Sequence, residues 1–158
     1  MLSQFNRLAL DSDGRYANDL ELRFIEEYLQ SYQMRINIYK KLQDAEQKIV
    51  QQVYNKLRAQ DPSLLINKQQ DMTAKWKRDT IRVLRYSAVT VLTDDTATFQ
   101  ERLLLWFQTI MRAFGAQRSC EMTYTVMQDV IQQHFTPEEY SYIAPVLDLN
   151  RTALGTAA

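Results

Sequence analysis

The chain holds one histidine and one cysteine, which narrows the chemistry open to it. Any Ser-His-Asp or Cys-His nucleophilic pair would have to use His134. His134 ends a helical pattern, where an imidazole suits the negative end of the helix dipole, and it reads as a C-terminal cap or surface group. A haem held by His134 has nothing further to support it. Cys120 reads as a small buried residue. One histidine and one cysteine are a poor basis for a four-ligand zinc site, so no metal is expected. Carboxylates pair at Glu26/Glu27, Asp94/Asp95 and Glu138/Glu139. Such pairs can do acid–base work, but each falls on a solvated helix face or near a helix start, where negative charge is favoured. No glycine-rich phosphate loop is present. Lys75, Lys77, Arg78, Arg82 and Arg85 form a basic run around Trp76. The run is either an ordinary basic helix face or a seat for carboxylates or phosphates. Residue types and spacing alone point to no enzyme.

The elements that carry these residues read as helices. Three glycines and three prolines in 158 residues leave few places to turn, and 46% apolar residues can fill one core. Leu2, Phe5, Leu8 and Leu10 mark a short apolar helix over 2–10, too short to stand alone, which must dock on something. A turn follows at 11–14. Asn18 and Glu21 have capping-box spacing at the head of a long helical run, with Ile25, Leu29, Tyr32, Ile36, Ile49, Val53 and Leu57 at helical intervals. Nothing breaks residues 15–61, so one very long helix or two with a bend both fit; Pro62 ends the run. Further helices are expected from about Lys68 to Leu92, from the Asp94/Asp95 break to Gly115, from about Arg118 to His134, and from Thr136-Pro137 onward. Pro145 is a place for that last helix to kink or end, and fraying is expected from about Thr152.

Charge limits the partners. Nineteen basic and nineteen acidic residues cancel, so the chain lacks the basic excess of a nucleic-acid binder and any general attraction to anionic membranes. No stretch approaches the roughly 20 apolar residues of a membrane span, and residues near the start lack a signal-peptide core. A reducing, cytoplasmic location is expected, with attachment to the face of a membrane complex as a variant.

Read as words, several stretches resemble a known family. Asp11-Ser12-Asp13-Gly14-Arg15-Tyr16 resembles the Asp-x-x-x-Arg-aromatic turn that follows the N-terminal helix of phycobiliproteins, the light-harvesting subunits of phycobilisomes. Val53-Tyr54-Asn55-Lys56 resembles a segment near the end of their second helical stretch. Met72-Thr73-Ala74-Lys75-Trp76-Lys77-Arg78-Asp79 resembles the allophycocyanin segment Met-Thr-Ala-x-Cys-x-Arg-Asp. Leu84-Arg85-Tyr86, Asp95 and Gly115 follow at the family's intervals. The likeness runs from about Leu2 to Leu154.

The resemblance implies an all-α, globin-like helical bundle with an N-terminal helical extension, as one domain over 1–158: a pairing extension at 1–17 and a core at 18–155. It implies a partner interface involving Leu2, Phe5, Leu8, Asp11, Arg15, Tyr16 and Arg85, with Asp11 and Arg85 matching a charge pair between subunits. It places the pigment-bearing cysteine at Trp76, where an indole can form no thioether, and it gives Cys120 no attachment role. The segment between Pro62 and Met72 is shorter than the family's pigment-covering loop. Together these departures imply a filled pocket and no covalent pigment. Arg78 and Asp79 match residues that hold a bilin's propionate and pyrrole nitrogens, so a noncovalent bilin stays open beside a plain Arg78–Asp79 ion pair. Three readings follow: a pigment-free interaction, assembly or regulatory protein; a noncovalent bilin-binding antenna or sensor; and an enzyme acting on bilins, for which no nucleophile–base pair is offered. The first is preferred. Its expected partners are phycobiliprotein subunits or a photosynthetic complex, in a homo- or hetero-oligomer.

Overall fold

A computed structural model describes residues 1–155. The short N-terminal helix α1 (Leu2–Asp11) precedes α2 (Asp19–Gln60), which is one unbroken helix of 42 residues. The capping box at its head is formed: Asn18 Oδ1 accepts from the Glu21 N–H at 3.0 Å, and Glu21 accepts from the Asn18 N–H at 2.8 Å. Along α2, Ile38, Leu42, Ile49, Val53 and Leu57 recur on one face and are buried. That stripe is the floor of the core. Emptying one such site, as in Ile49→Ala, costs about 2–5 kcal/mol.

Pro62–Leu65 forms a 3₁₀ turn that leads into a two-residue hairpin, β1 (Ile66–Asn67) and β2 (Gln70–Asp71), paired antiparallel. Helix α3 (Thr73–Thr93) follows. The expected helical start near Lys68 is therefore corrected by five residues. Lys68 (φ 47°) and Gln69 (φ 66°) both adopt left-handed backbone, the arrangement a two-residue hairpin needs. Neither is glycine, so the sequence carried no turn signal there. Asp94 (φ 50°) closes α3, and Asp95 caps the next run by accepting from the Thr98 N–H at 3.0 Å. That run comprises α4 (Thr96–Phe99), a π-helical turn (Gln100–Leu104) and α5 (Leu105–Ala113), and ends at Gly115 (φ 63°).

Helices α6 (Gln117–His134) and α7 (Pro137–Gly155) pack as a hairpin over α2 and α3. Thr136 and Glu139 form the second capping box expected from the sequence. Helix α7 continues across Pro145 to Gly155. Fraying from Thr152 is corrected as well: Leu154 and Gly155 are buried, because Gly155 lets α7 approach the backbone of Glu121 on α6. A Cβ there would stand 2.7 Å from the Glu121 Cβ and 2.8 Å from its Cα. The part of that expectation touching 156–158 lies outside the described residues.

Arg35 locks α2 to the end of α3. It is buried, donates to Ser31 Oγ (2.8 Å) and the Val91 carbonyl (2.7 Å), pairs with Asp94 (3.0 Å) and lies 5.1 Å over the Tyr142 ring. Tyr28 adds a bond to the Leu92 carbonyl at 2.9 Å. Helix α1 is held differently. It buries no residue, and it is moored at its head: the N-terminal ammonium donates to the Asp94 carbonyl (2.6 Å), and Ser3 donates through N–H and Oγ to the Asp95 carboxylate (both 2.8 Å). Phe5 meets Phe24 edge-on at 5.2 Å.

Candidate functional site

The first turns of α3 and α6, the end of α5 and the β1–β2 segment enclose a cavity of about 230 Å³. Trp76, Asp79 and Thr80 reach it from α3. Cys120, Thr123 and Tyr124 reach it from α6. Met111 and Phe114 stand on the α5 side, and Leu64, Ile66 and Asn67 on the loop side. The walls are mostly apolar, as those side chains dictate. Asn67 closes the loop onto α5 by donating to the Phe114 carbonyl at 3.2 Å.

Trp76 occupies one wall and does not fill the space. Its indole N–H donates to Thr123 Oγ1 at 2.9 Å, and its ring lies against Tyr54 with 6.0 Å between centroids. The expected filled pocket is therefore corrected: the indole is drawn aside by Thr123 and Tyr54, and a cavity remains between it and α5. Cys120 shares this cavity, which its place in a separate helix had hidden. Burial, with the Asp79 carboxylate adding to it, pushes the Cys120 thiol up to about 12. A thiol held neutral at physiological pH is a poor nucleophile. The same two influences, with Cys120 itself, push the buried Tyr124 phenol well up.

Arg78 and Asp79 separate. Asp79 lines the cavity, whereas the Arg78 side chain is largely exposed and meets the Asp79 carboxylate only at a long 3.5 Å. Lys75 lines the rim with its ammonium 3.7 Å over the Phe114 ring. Arg118 lines it too and pairs with Asp61 at 2.8 Å.

The remaining candidates cluster at the N-terminal arm, away from this cavity. Leu2, Phe5, Leu10 and Tyr16 are exposed, Tyr16 almost completely (98%), while Leu8 is half-buried. Arg15 does structural work: it forms two bonds to the Glu21 carboxylate (2.6 and 2.9 Å) and one to the Asp11 carbonyl (2.9 Å). Its hydrogen bond, with that of the Asn18 N–H, lowers the Glu21 carboxyl to about 2. Asp11 is joined by Arg7 at 3.4 Å, and Arg85 is clasped by Glu46 through bonds of 2.6 and 2.8 Å. Within one chain, then, Asp11 and Arg85 each have a partner other than the other. Glu46 is the residue that sequence reading missed. It lies mid-helix in α2, and only the packing of α3 on α2 brings it to Arg85.

His134 ends α6 and contacts the Gln52 side chain at 2.7 Å. Burial, then the Lys48 charge, lowers its pKa below the ordinary histidine value, which favours the neutral ring against Gln52. Among the described residues no group of three or more His, Cys, Asp or Glu side chains could hold a metal, and no helix is long and apolar enough to cross a membrane.

Compared with known families, residues 8–154 match the one described as phycobilisome protein. That match covers nearly the whole chain, including every residue of the cavity. No curated protein matches it.

Proposed function

The chain belongs to the phycobilisome protein family, and from that premise we propose that it is a pigment-free member that works by binding other proteins. Its role is in assembly, linkage or regulation at the phycobilisome or an associated photosynthetic complex. The observation that carries the reading is the state of Trp76: a tryptophan stands where the likeness to allophycocyanin calls for the pigment-bearing cysteine, and its indole is tied to Thr123 and Tyr54. The one thiol at the cavity, Cys120, is held protonated, so it makes no substitute attachment point. The N-terminal arm supports the binding half of the reading. An apolar helix with no buried residue, followed by a fully exposed Tyr16, is a surface awaiting a partner. The partners proposed are phycobiliprotein subunits, in a homo- or hetero-oligomer, with the arm at 1–17 as the pairing extension and 18–155 as the core. The site of action is the cytoplasm or the cytoplasmic face of the thylakoid.

A noncovalent bilin is the second reading, and Asp79 on the cavity wall is what favours it. Its weakness is space. Pockets that enclose drug-sized ligands run to about 300–1,000 Å³, above the 230 Å³ here. Affinity purification of the tagged chain from a phycobilisome-bearing host separates the two. The first reading expects co-purified phycobiliprotein subunits, lost on Phe5→Ala with Tyr16→Ala. The second expects visible absorbance that Asp79→Ala removes. Recovery of neither subunits nor colour would defeat both.

A further inference from the structure

Among the described residues some cations meet a close carboxylate, Arg118 on the cavity included, and others, on α2 as well as on α3, meet none. Arg15, Arg35, Lys41, Arg85, Arg118 and Arg151 each meet a carboxylate within 3 Å. Among the described residues Lys75, Arg82, Arg102 and Arg112 meet none, and Arg78 has only its 3.5 Å contact to Asp79. Lys75, Arg78 and Arg82 are spaced three and four residues apart, so they share one face of α3. From Arg102 to Arg118 there is no acidic residue at all. In a chain whose charges cancel, this is a local positive field.

Exposed apolar groups are set into that field. Leu105 (62%), Trp106 (51%) and Phe114 (51%) open to solvent on the run that carries the cavity's outer wall. The π-helical turn lies immediately before Leu105 and Trp106; such turns are frequent at functional sites. Two aromatics are held under cations: Phe114 beneath Lys75 at 3.7 Å, and Trp106 beneath Arg82 at 5.7 Å. Phe114 and Lys75 line the mostly apolar cavity, which is small for a pigment and ample for an apolar side chain, and Arg82 follows Lys75 along α3 outside that lining.

We propose that the cavity beside Trp76 and the basic face of Lys75, Arg78 and Arg82 form one docking site for an acidic polypeptide segment of a partner protein. An apolar side chain of that segment enters the cavity, and its flanking carboxylates meet Lys75 at the rim and Arg78 and Arg82 along the same face of α3. This rests on the interaction-protein reading above and names the chemistry of the partner. Charge complementarity selects an acidic partner. The concave mouth selects a polypeptide over a lipid surface, because a single buried anchor in a pocket is how protein segments gain affinity, and a flat bilayer offers no such projection. Asp79 sits on the wall, so it selects against a carboxylate inside the cavity and keeps the acidic groups at the rim.

The chain has two tryptophans, and both lie at this site. Trp76→Phe and Trp106→Phe variants therefore leave one emitter each, one at the cavity and one under Arg82. The probe is a short synthetic peptide of alternating Glu and Asp around a central Phe, titrated into the full chain at low salt. The expected result is a saturable emission change at both tryptophans, at least tenfold weaker for the peptide with central Gly and for the Lys75→Ala, Arg82→Ala double variant, and weakened again by added salt. Ser119→Met, which narrows the cavity from α6, should remove the advantage of Phe over Gly while leaving charge-dependent binding; circular dichroism checks that it is folded. Vesicles of equal phosphatidylglycerol and phosphatidylcholine should not compete. Absence of peptide binding, equal binding of the Phe and Gly peptides, or stronger response to the vesicles would each overturn the proposal. The double variant keeps the N-terminal arm and should still recover phycobiliprotein subunits from its host; failed peptide binding with subunits recovered sinks the docking site alone, whereas failure of the unaltered chain to recover subunits sinks the interaction reading.

Discussion

Removing Trp76 should cost the fold measurably, because its indole does three separable things. It donates one hydrogen bond to Thr123 Oγ1 at 2.9 Å, for which the net contribution is about 1 kcal/mol. It packs a ring against Tyr54 at 6.0 Å, and such pairs add about 0.5–1.5 kcal/mol. It also covers apolar wall that Trp76→Ala would open to an existing cavity; whole-ring truncations in closed cores cost about 3–5 kcal/mol. Trp76 is only partly buried and one side already faces empty space, so the lower end applies: about 3 kcal/mol for Trp76→Ala. Trp76→Phe keeps most of the packing and loses the hydrogen bond, for about 1–1.5 kcal/mol. For a domain of this size those values lower Tm by about 6–12 °C and 2–6 °C. Thermal unfolding followed by circular dichroism at 222 nm measures both, with Thr123→Val as a partner variant that should cost about 1 kcal/mol and add almost nothing to Trp76→Phe. A Trp76→Ala cost under about 1 kcal/mol would refute the reasoning that the indole is a fixed part of the wall.

Three further outcomes are expected. Burial raises the Asp95 carboxyl, but bonds from Ser3 and Thr98 and the N-terminal ammonium overcome it and set the group at about 2 against an ordinary 3.8. Its contribution, about 2 kcal/mol, is complete above pH 4 and lost as pH falls toward 2; because Glu21 and other paired carboxylates are lost over the same range, denaturant titrations should show a smaller acid loss in Asp95→Asn than in the native chain, and equal losses would contradict the Asp95 account. Cys120, partly buried on the cavity wall with its thiol pushed up to about 12, should resist a thiol reagent at pH 7 in the folded chain and react faster in denaturant; equally rapid labelling of native protein would contradict the raised thiol. Gly155→Ala drives a Cβ into Glu121 and should cost about 1–3 kcal/mol in urea unfolding, while an unchanged midpoint would mean that α7 is not seated there.

Much of this was legible because it is local. The capping boxes at Asn18 and Thr136, the stop at Gly115 and the stripe from Ile49 to Leu57 are decided within a turn or two of helix. The words around Trp76 gave the family likeness for the same reason: they are contiguous. What stayed hidden depends on packing or on backbone that breaks the usual preferences. Lys68 and Gln69 make a hairpin turn without glycine. Gly155 lies in the stretch where fraying was expected and is a contact point between two helices. Cys120 and Trp76 share a cavity although forty-odd residues separate them, and Glu46 reaches Arg85 only because α3 lies on α2. The expectation of a filled pocket failed because side-chain volume was legible and side-chain direction was not: Thr123 turns the indole aside.

The central claim is that this family member carries no pigment, and a visible absorption spectrum tests it most directly. The chain is purified from bilin-making cells and scanned before and after acid–urea denaturation. The account predicts no visible band in either state. A band that survives denaturation would mean a covalent bilin and contradict the account at its root; a band released on denaturation would mean that the cavity beside Trp76 holds a pigment after all.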